Sequence, residues 1–167
     1  MKKTILIPTD FSIESLAVLK NVLSQSSSNE KFDVILLHGV HLTDSITDLL
    51  FLSKKKIVNQ FITNEFTEAC SVLQNKYASK INSIRKDIFT GFTQAAFNNY
   101  VEGNKIDQAF LPTEHQWKLD KRKSFDLVPF IQKSKLSVEQ VGWNANQNIP
   151  EKGKVAEIFF NGVPSHS

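Results

Sequence analysis

The chain has 167 residues, 41% of them hydrophobic and 22% charged, the proportions of a globular protein large enough to bury one core. A net charge of +3 is too small to argue for a nucleic-acid partner, and no apolar run is long enough to span a bilayer. The single cysteine, Cys70, excludes an intramolecular disulfide and a cysteine-based metal cluster, and its apolar helical surroundings predict a buried, inert thiol. Thirteen Phe against two Tyr and one Met predict an aromatic-rich core. Met1-Lys2-Lys3 is followed by only a short apolar run before Asp10, so no secretory signal is read and the cytoplasm is the expected location.

Residues 4–7 are strand-like and mostly apolar, with an unbroken run from Ile5 to Ile7, which suits a strand covered on both faces in the middle of a parallel sheet. Pro8-Thr9-Asp10 ends it, and Ser12 caps a first helix over residues 12–24, with Glu14 near its positive end. Ile13, Leu16, Leu19, Val22 and Leu23 fall on one face of that helix. Residues 32–38 read as a second strand ending in His38. Thr43-Asp44-Ser45 is expected to cap a short helix through Leu52, which Lys54-Lys55-Lys56 ends. A longer helix over about 60–79 carries Ile62, Phe66, Ala69, Leu73 and Tyr77 in one stripe. A third strand over 82–89 follows, then Gly91 and a helix bearing Phe92, Ala95, Ala96, Phe97 and Val101.

Gly103-Asn104 stops that helix, and 106–111 is the fourth strand. Residues 112–123 form a loop rich in Lys and Arg. Ser124 or Asp126 caps a short helix that tolerates Pro129 in its first turn, and 136–141 is the fifth strand. The alternation predicts a doubly wound, Rossmann-like α/β domain over residues 1–142, with five parallel strands and helices on both faces. Residues 143–167 form a C-terminal extension in which 155–160 is expected to add a short edge strand. In such a fold Asp10 stands at the carboxyl end of a central strand, where ligands bind.

The stretch Ile5-Leu6-Ile7-Pro8-Thr9-Asp10-Phe11-Ser12, followed by Ile13-Glu14-Ser15-Leu16, resembles the opening of the universal stress protein (UspA-like) family. The ending Ile35-Leu36-Leu37-His38 of the second strand and Asp107 at the start of the fourth extend the resemblance. It implies a small α/β domain, commonly a homodimer paired through the fifth strand, that in many members binds ATP. It also implies that Asp10 lies where the adenine or ribose contact falls; the other reading of Asp10 is a turn residue that caps the helix.

ATP-binding members carry a G-x-x-G-x(9)-G-[ST] motif after the fourth strand, whose glycines let backbone N–H groups approach the phosphates. Here there is no glycine between Gly103 and Gly142, and only Ser124 keeps the closing hydroxyl. Glu114 adds negative charge, and Lys121, Arg122 and Lys123 do not replace a nest of backbone donors. The expectation is therefore a non-catalytic stress-response module without ATP or any other cofactor, dimerising through the fifth strand and the extension. The alternative is an adenine-nucleotide-binding protein, at most a weak ATPase, holding its ligand with Thr9, Asp10, Ser12, Ser124 and the basic loop 118–124.

Other chemistries find no support in the residues. There is no Walker loop and no G-x-G-x-x-G after the first strand. Phe89 or Thr90 and Val141 stand where a receiver domain needs its Asp and Lys, and Thr9-Asp10-Phe11-Ser12 is not a pyrophosphatase loop. His38, His41 and Asp44 lack further ligands, so no metal is expected and the two histidines read as solvated. The aromatics fall mostly on core faces rather than on a stacking surface for single-stranded RNA. No catalytic residue is assigned.

Overall fold

The computed structural model of the protein describes residues 2–41, 43, 53–114 and 117–142. Its strands are β1 (Lys2–Pro8), β2 (Lys31–Val40), β3 (Ile81–Phe89), β4 (Gln108–Pro112), β5 (Ser124–Phe125) and β6 (Ser137–Val141). Five of them form a parallel sheet in the order β3-β2-β1-β4-β6, the doubly wound arrangement expected. The helices are α1 (Leu16–Gln25), α2 (Lys54–Phe61), α3 (Asn64–Lys76), α4 (Gln94–Gly103) and α5 (Val128–Gln132).

The continuous apolar runs are explained by helices on both faces of the sheet. Successive side chains of a strand point to opposite faces. Ile5 and Ile7 of β1 and Val34 and Leu36 of β2 pack with Leu16, Leu19 and Leu23 of α1 and with Phe66 and Leu73 of α3. Leu6, Ile35 and Leu37 point the other way, with Ala109 and Leu111 of β4, onto Phe97 of α4 and Ile131 of α5. Complete burial of such side chains stabilises the fold by about 1.5–3 kcal/mol each. The β1–β4 boundary, where the chain order reverses, is the topological switch point of the sheet.

Several local expectations need correction. The first helix begins with one 3-10 turn at Ile13–Ser15, although Ser12 caps it as expected, accepting from Ser15 N at 3.3 Å. Lys54-Lys55-Lys56 do not end a helix but open α2. Cations are unfavourable at a helix N-terminus, and here Lys54 Nζ lies 2.9 Å from Asp87 Oδ1, which offsets that cost. The long helix over 60–79 is two helices, because Ile62 is extended and Thr63 caps α3 by accepting from Phe66 N at 3.1 Å. Thr93 caps α4 in the same way through Ala96 N, so Phe92 precedes the helix and is 81% exposed.

A sixth strand inside the described residues was not expected. β1 ends at Pro8, opposite Leu37, whereas β2 continues to Val40, leaving one edge of Gly39 and Val40 without a neighbour. Backbone groups so placed need partners. β5 supplies them in antiparallel register, Phe125 opposite Gly39 and Ser124 opposite Val40. The short helix expected from residue 44 to 52 and the edge strand expected over 155–160 lie outside the described residues.

Candidate functional site

The carboxyl end of β1 delivers Thr9, Asp10 and Phe11 to the switch point. Thr9 N–H donates to Leu37 O at 2.9 Å, so the first residue of the turn still belongs to the ladder. Its buried Oγ1 accepts from Phe11 N at 2.9 Å and shares a hydrogen bond with Ser15 Oγ at 2.6 Å. Phe11 has φ 60°, a left-handed conformation unfavourable for a bulky residue. The turn is held there by burial of its ring, edge-on to Phe66 at 5.4 Å and tilted against His38 at 5.1 Å.

Asp10 is fully engaged by its own chain. Oδ1 accepts from Ser12 N at 2.9 Å and from Ser12 Oγ. Oδ2 accepts from the backbone N–H of Lys118 at 2.8 Å, across more than a hundred residues of sequence. The Lys118 ammonium meanwhile lies 3.5 Å from Glu14 Oε2. Residues 117–127 thus run as a strap over the end of β1. Beneath it, among Pro8, Thr9, Gly39, Trp117, Phe125 and Leu127, only about 10 Å³ of space is left, room for roughly one water.

His38 and Ser124 fasten the far end of this strap. The solvated pair of histidines expected from the sequence is incorrect for His38, which is only 3% exposed. His38 Nδ1 lies 2.9 Å from Thr9 O, a carbonyl, so Nδ1 carries the proton and donates. Nε2 is then the acceptor for the Ser124 hydroxyl at 2.8 Å. Burial lowers the imidazole pKa from its ordinary value, against smaller upward contributions from the Thr9 carbonyl and the Asp10 charge. Ser124 does not cap α5, as was expected of Ser124 or Asp126. Nor does Asp126: the cap position is Leu127, which offers no side-chain acceptor, and Asp126 Oδ1 accepts from Val128 N at 2.9 Å in a turn one residue ahead of it.

Of the four residues expected to line a nucleotide site, Thr9, Asp10 and Ser12 form one turn, and Ser124 reaches its neighbourhood through His38. A serine hydroxyl on an imidazole has the outline of a nucleophile and base. Here Ser124 is itself part of the strap and only 4% exposed, so the pair works as a fastening between strap and sheet. A larger open basin of about 1060 Å³ adjoins the strap, lined in part by Asp10, His38, Phe61, Lys118, Arg122 and Ser124. Among the described residues no cluster of three or more His, Cys, Asp or Glu could hold a metal, and no helix is long and apolar enough to cross a membrane.

From the sequence His38 was misread as solvated and Gly39 was missed. His38 was legible by parity, since Phe32, Val34 and Leu36 place every second residue of β2 on the α1 face and His38 continues that row. Gly39 had no such signal. A Cβ there would lie 2.6 Å from Phe125 O and 2.8 Å from its ring, a conflict that exists only once β5 is in place.

No family model matches the chain, and no curated protein matches it at a significant level. Solved structures do. Two hypothetical proteins, PH0823 and MJ0577, each match with a TM-score of 0.52 at 20% identity, covering 84% of this chain and 95% of theirs. The universal stress protein UspA from Lactobacillus plantarum matches with a TM-score of 0.51 at 14% identity, covering 83% of this chain and 97% of its own. Nearly the whole length of these proteins is matched, and the chain therefore has the fold of a universal stress protein.

Proposed function

We propose that this protein is a divergent universal stress protein that acts in the cytoplasm as a non-catalytic regulatory interaction module and does not bind ATP. The observation that carries this reading is the occupied switch point. The strap fills the crevice with Trp117 and Phe125, and both oxygens of Asp10 are satisfied by protein donors. The missing glycines after β4 agree with it, since side chains on residues 113–123 keep backbone donors from closing around phosphates. The test is a titration of ligand-free protein with MgATP, followed by thermal unfolding. A site filled at a hundredfold its dissociation constant stabilises by about 2.7 kcal/mol. No shift is expected; a saturable shift at micromolar ATP, lost in Asp10→Ala, would refute the reading.

The second reading, a nucleotide-binding protein and at most a weak ATPase, has one observation in its favour. The basin that adjoins the strap is bordered by Lys118, Arg122 and Lys123, with Phe61 offering an aromatic wall. The same titration decides between the two.

The assembly we propose is a homodimer through β6 and the C-terminal extension, residues 143–167. Four of the five β6 residues are exposed, and an uncovered edge strand is a template for pairing. Asn21 Nδ2 donates to Gly142 O at 2.6 Å, so the residue that precedes the extension lies beside α1. Exposing Ile158, Phe159 and Phe160 together would cost about 1.5–3 kcal/mol each relative to burying them. Light scattering of the full chain and of a form lacking residues 150–167 checks this: a dimer of unchanged mass and stability after the deletion would exclude the extension from assembly.

A further inference from the structure

We infer that the strap, residues 117–127, is an autoinhibitory lid: a unit that opens locally, without unfolding the sheet, and in closing shuts the switch-point crevice against ligands. The inference rests on the reading above that this crevice is the ligand position of the fold, and it adds a regulation to it.

The closed state is specified from both sides. The last residue but one of β2 is of the one type that admits the strap, because any Cβ on Gly39 would meet Phe125 O at 2.6 Å. Asp10 meets the strap at one end through Lys118 N, and His38 meets it at the other through Ser124 Oγ. Between those fastenings, His41 N donates to Lys123 O at 2.8 Å and β5 adds its two-residue pairing. The strap is joined to the sheet by these hydrogen bonds near its two ends, together with the buried Leu127 and the half-buried rings of Trp117 and Phe125, which pack on the core around Leu6, Ile35 and Leu37.

The middle of the strap has little to hold it. Residues 120–123 are all exposed and form a turn closed on itself by Asp120, whose carbonyl accepts from Lys123 N and Ser124 N at 2.8 Å. Trp117, Leu119 and Phe125 are only half-buried. A segment with few buried apolar contacts and exposed hydrogen bonds opens at lower free energy than the core beneath it. The central strands under it, by contrast, have Ile5, Leu6, Ile7 and Leu37 wholly buried. Opening would release both Asp10 Oδ2 and His38 Nε2 and uncover the crevice walls at Thr9 and Gly39.

Hydrogen exchange on the full chain under native conditions tests this. In the unaltered protein, the amides of Lys118 and Ser124 are expected to exchange through an opening that leaves the amides of Ile5 to Ile7 protected. Ser124→Ala, which removes one hydrogen bond, is expected to speed exchange of the strap by about fivefold and leave β1 unchanged. Gly39→Ala is expected to abolish strap protection while the sheet stays protected. Strap amides that exchange only as slowly as those of β1 would overturn the inference. So would loss of protection throughout the sheet in Gly39→Ala, which would make the strap an integral part of the fold. Neither readout uses nucleotide, so a lid that fails here leaves the ATP titration standing, and ATP binding would leave the lid standing.

Discussion

Lowering the pH should destabilise this protein through His38 in a way that can be isolated. In the folded chain the ring is neutral, donating to Thr9 O and accepting from Ser124, and burial holds its pKa below the ordinary value of about 6.5. In the unfolded chain the same ring protonates near that ordinary value. The unfolded state therefore binds the extra proton first, and stability rises with pH wherever that is so. The contribution of His38 is fully present above the unfolded pKa and is lost as pH falls below it, until the folded pKa is reached. Between the two values the limiting slope is about 1.4 kcal/mol per pH unit. The assay is urea unfolding of the unaltered protein and of His38→Gln at several pH values from about 7.5 down to about 5. Other titrating groups cancel in the difference between the two curves. Their gap is expected to narrow as pH falls, by up to the limiting slope. Parallel curves would refute the assignment of a neutral, hydrogen-bonded His38.

Three further outcomes are expected. Asp10→Ala removes the acceptor of Ser12 N and Lys118 N and is expected to cost about 2 kcal/mol, on the scale of hydrogen bonds to a charged group; equilibrium urea unfolding measures it, and a loss below about 0.5 kcal/mol would contradict the engaged carboxylate. The Lys54–Asp87 contact at 2.9 Å and the Tyr100–Asp87 hydrogen bond at 2.6 Å share one carboxylate, and Lys54 also sits 5.8 Å from the Tyr100 ring centroid. Lys54→Met and Tyr100→Phe should therefore be non-additive by about 0.5 kcal/mol or more in a double-mutant cycle, and strict additivity would argue against a shared network. Burial pushes the Cys70 thiol up to about 11, so a thiol reagent at neutral pH should modify it only as fast as the protein unfolds; rapid labelling of folded protein would mean that α3 is less well packed than described.

The central strands, the Ser12 cap and the core faces were legible because local pattern carries them. An unbroken apolar run from Ile5 to Ile7 can be satisfied only by cover on both faces, and Ser12 can cap only the turn that follows it. The resemblance of the Pro8-Thr9-Asp10 turn to one family likewise pointed to the fold before any coordinate did. Helix boundaries were less legible. The apolar stripe through Ile62 and Phe66 continues across the Thr63 break, because α2 and α3 both bury residues against the same sheet.

The site depended on contacts between segments remote in sequence. Lys118 reaches Asp10, Ser124 reaches His38, and Phe125 lies on Gly39, each pairing a strand end with a loop 86 or more residues away. Composition and periodicity hold no record of such pairs, since nothing in residues 112–127 alternates or repeats at a strand or helix period. The absence of glycine in that loop argued against a phosphate cradle. What the loop does instead was decided by the tertiary structure: β2 outruns β1 at Leu37, and the unpaired backbone of Gly39 and Val40 draws the strap across the crevice.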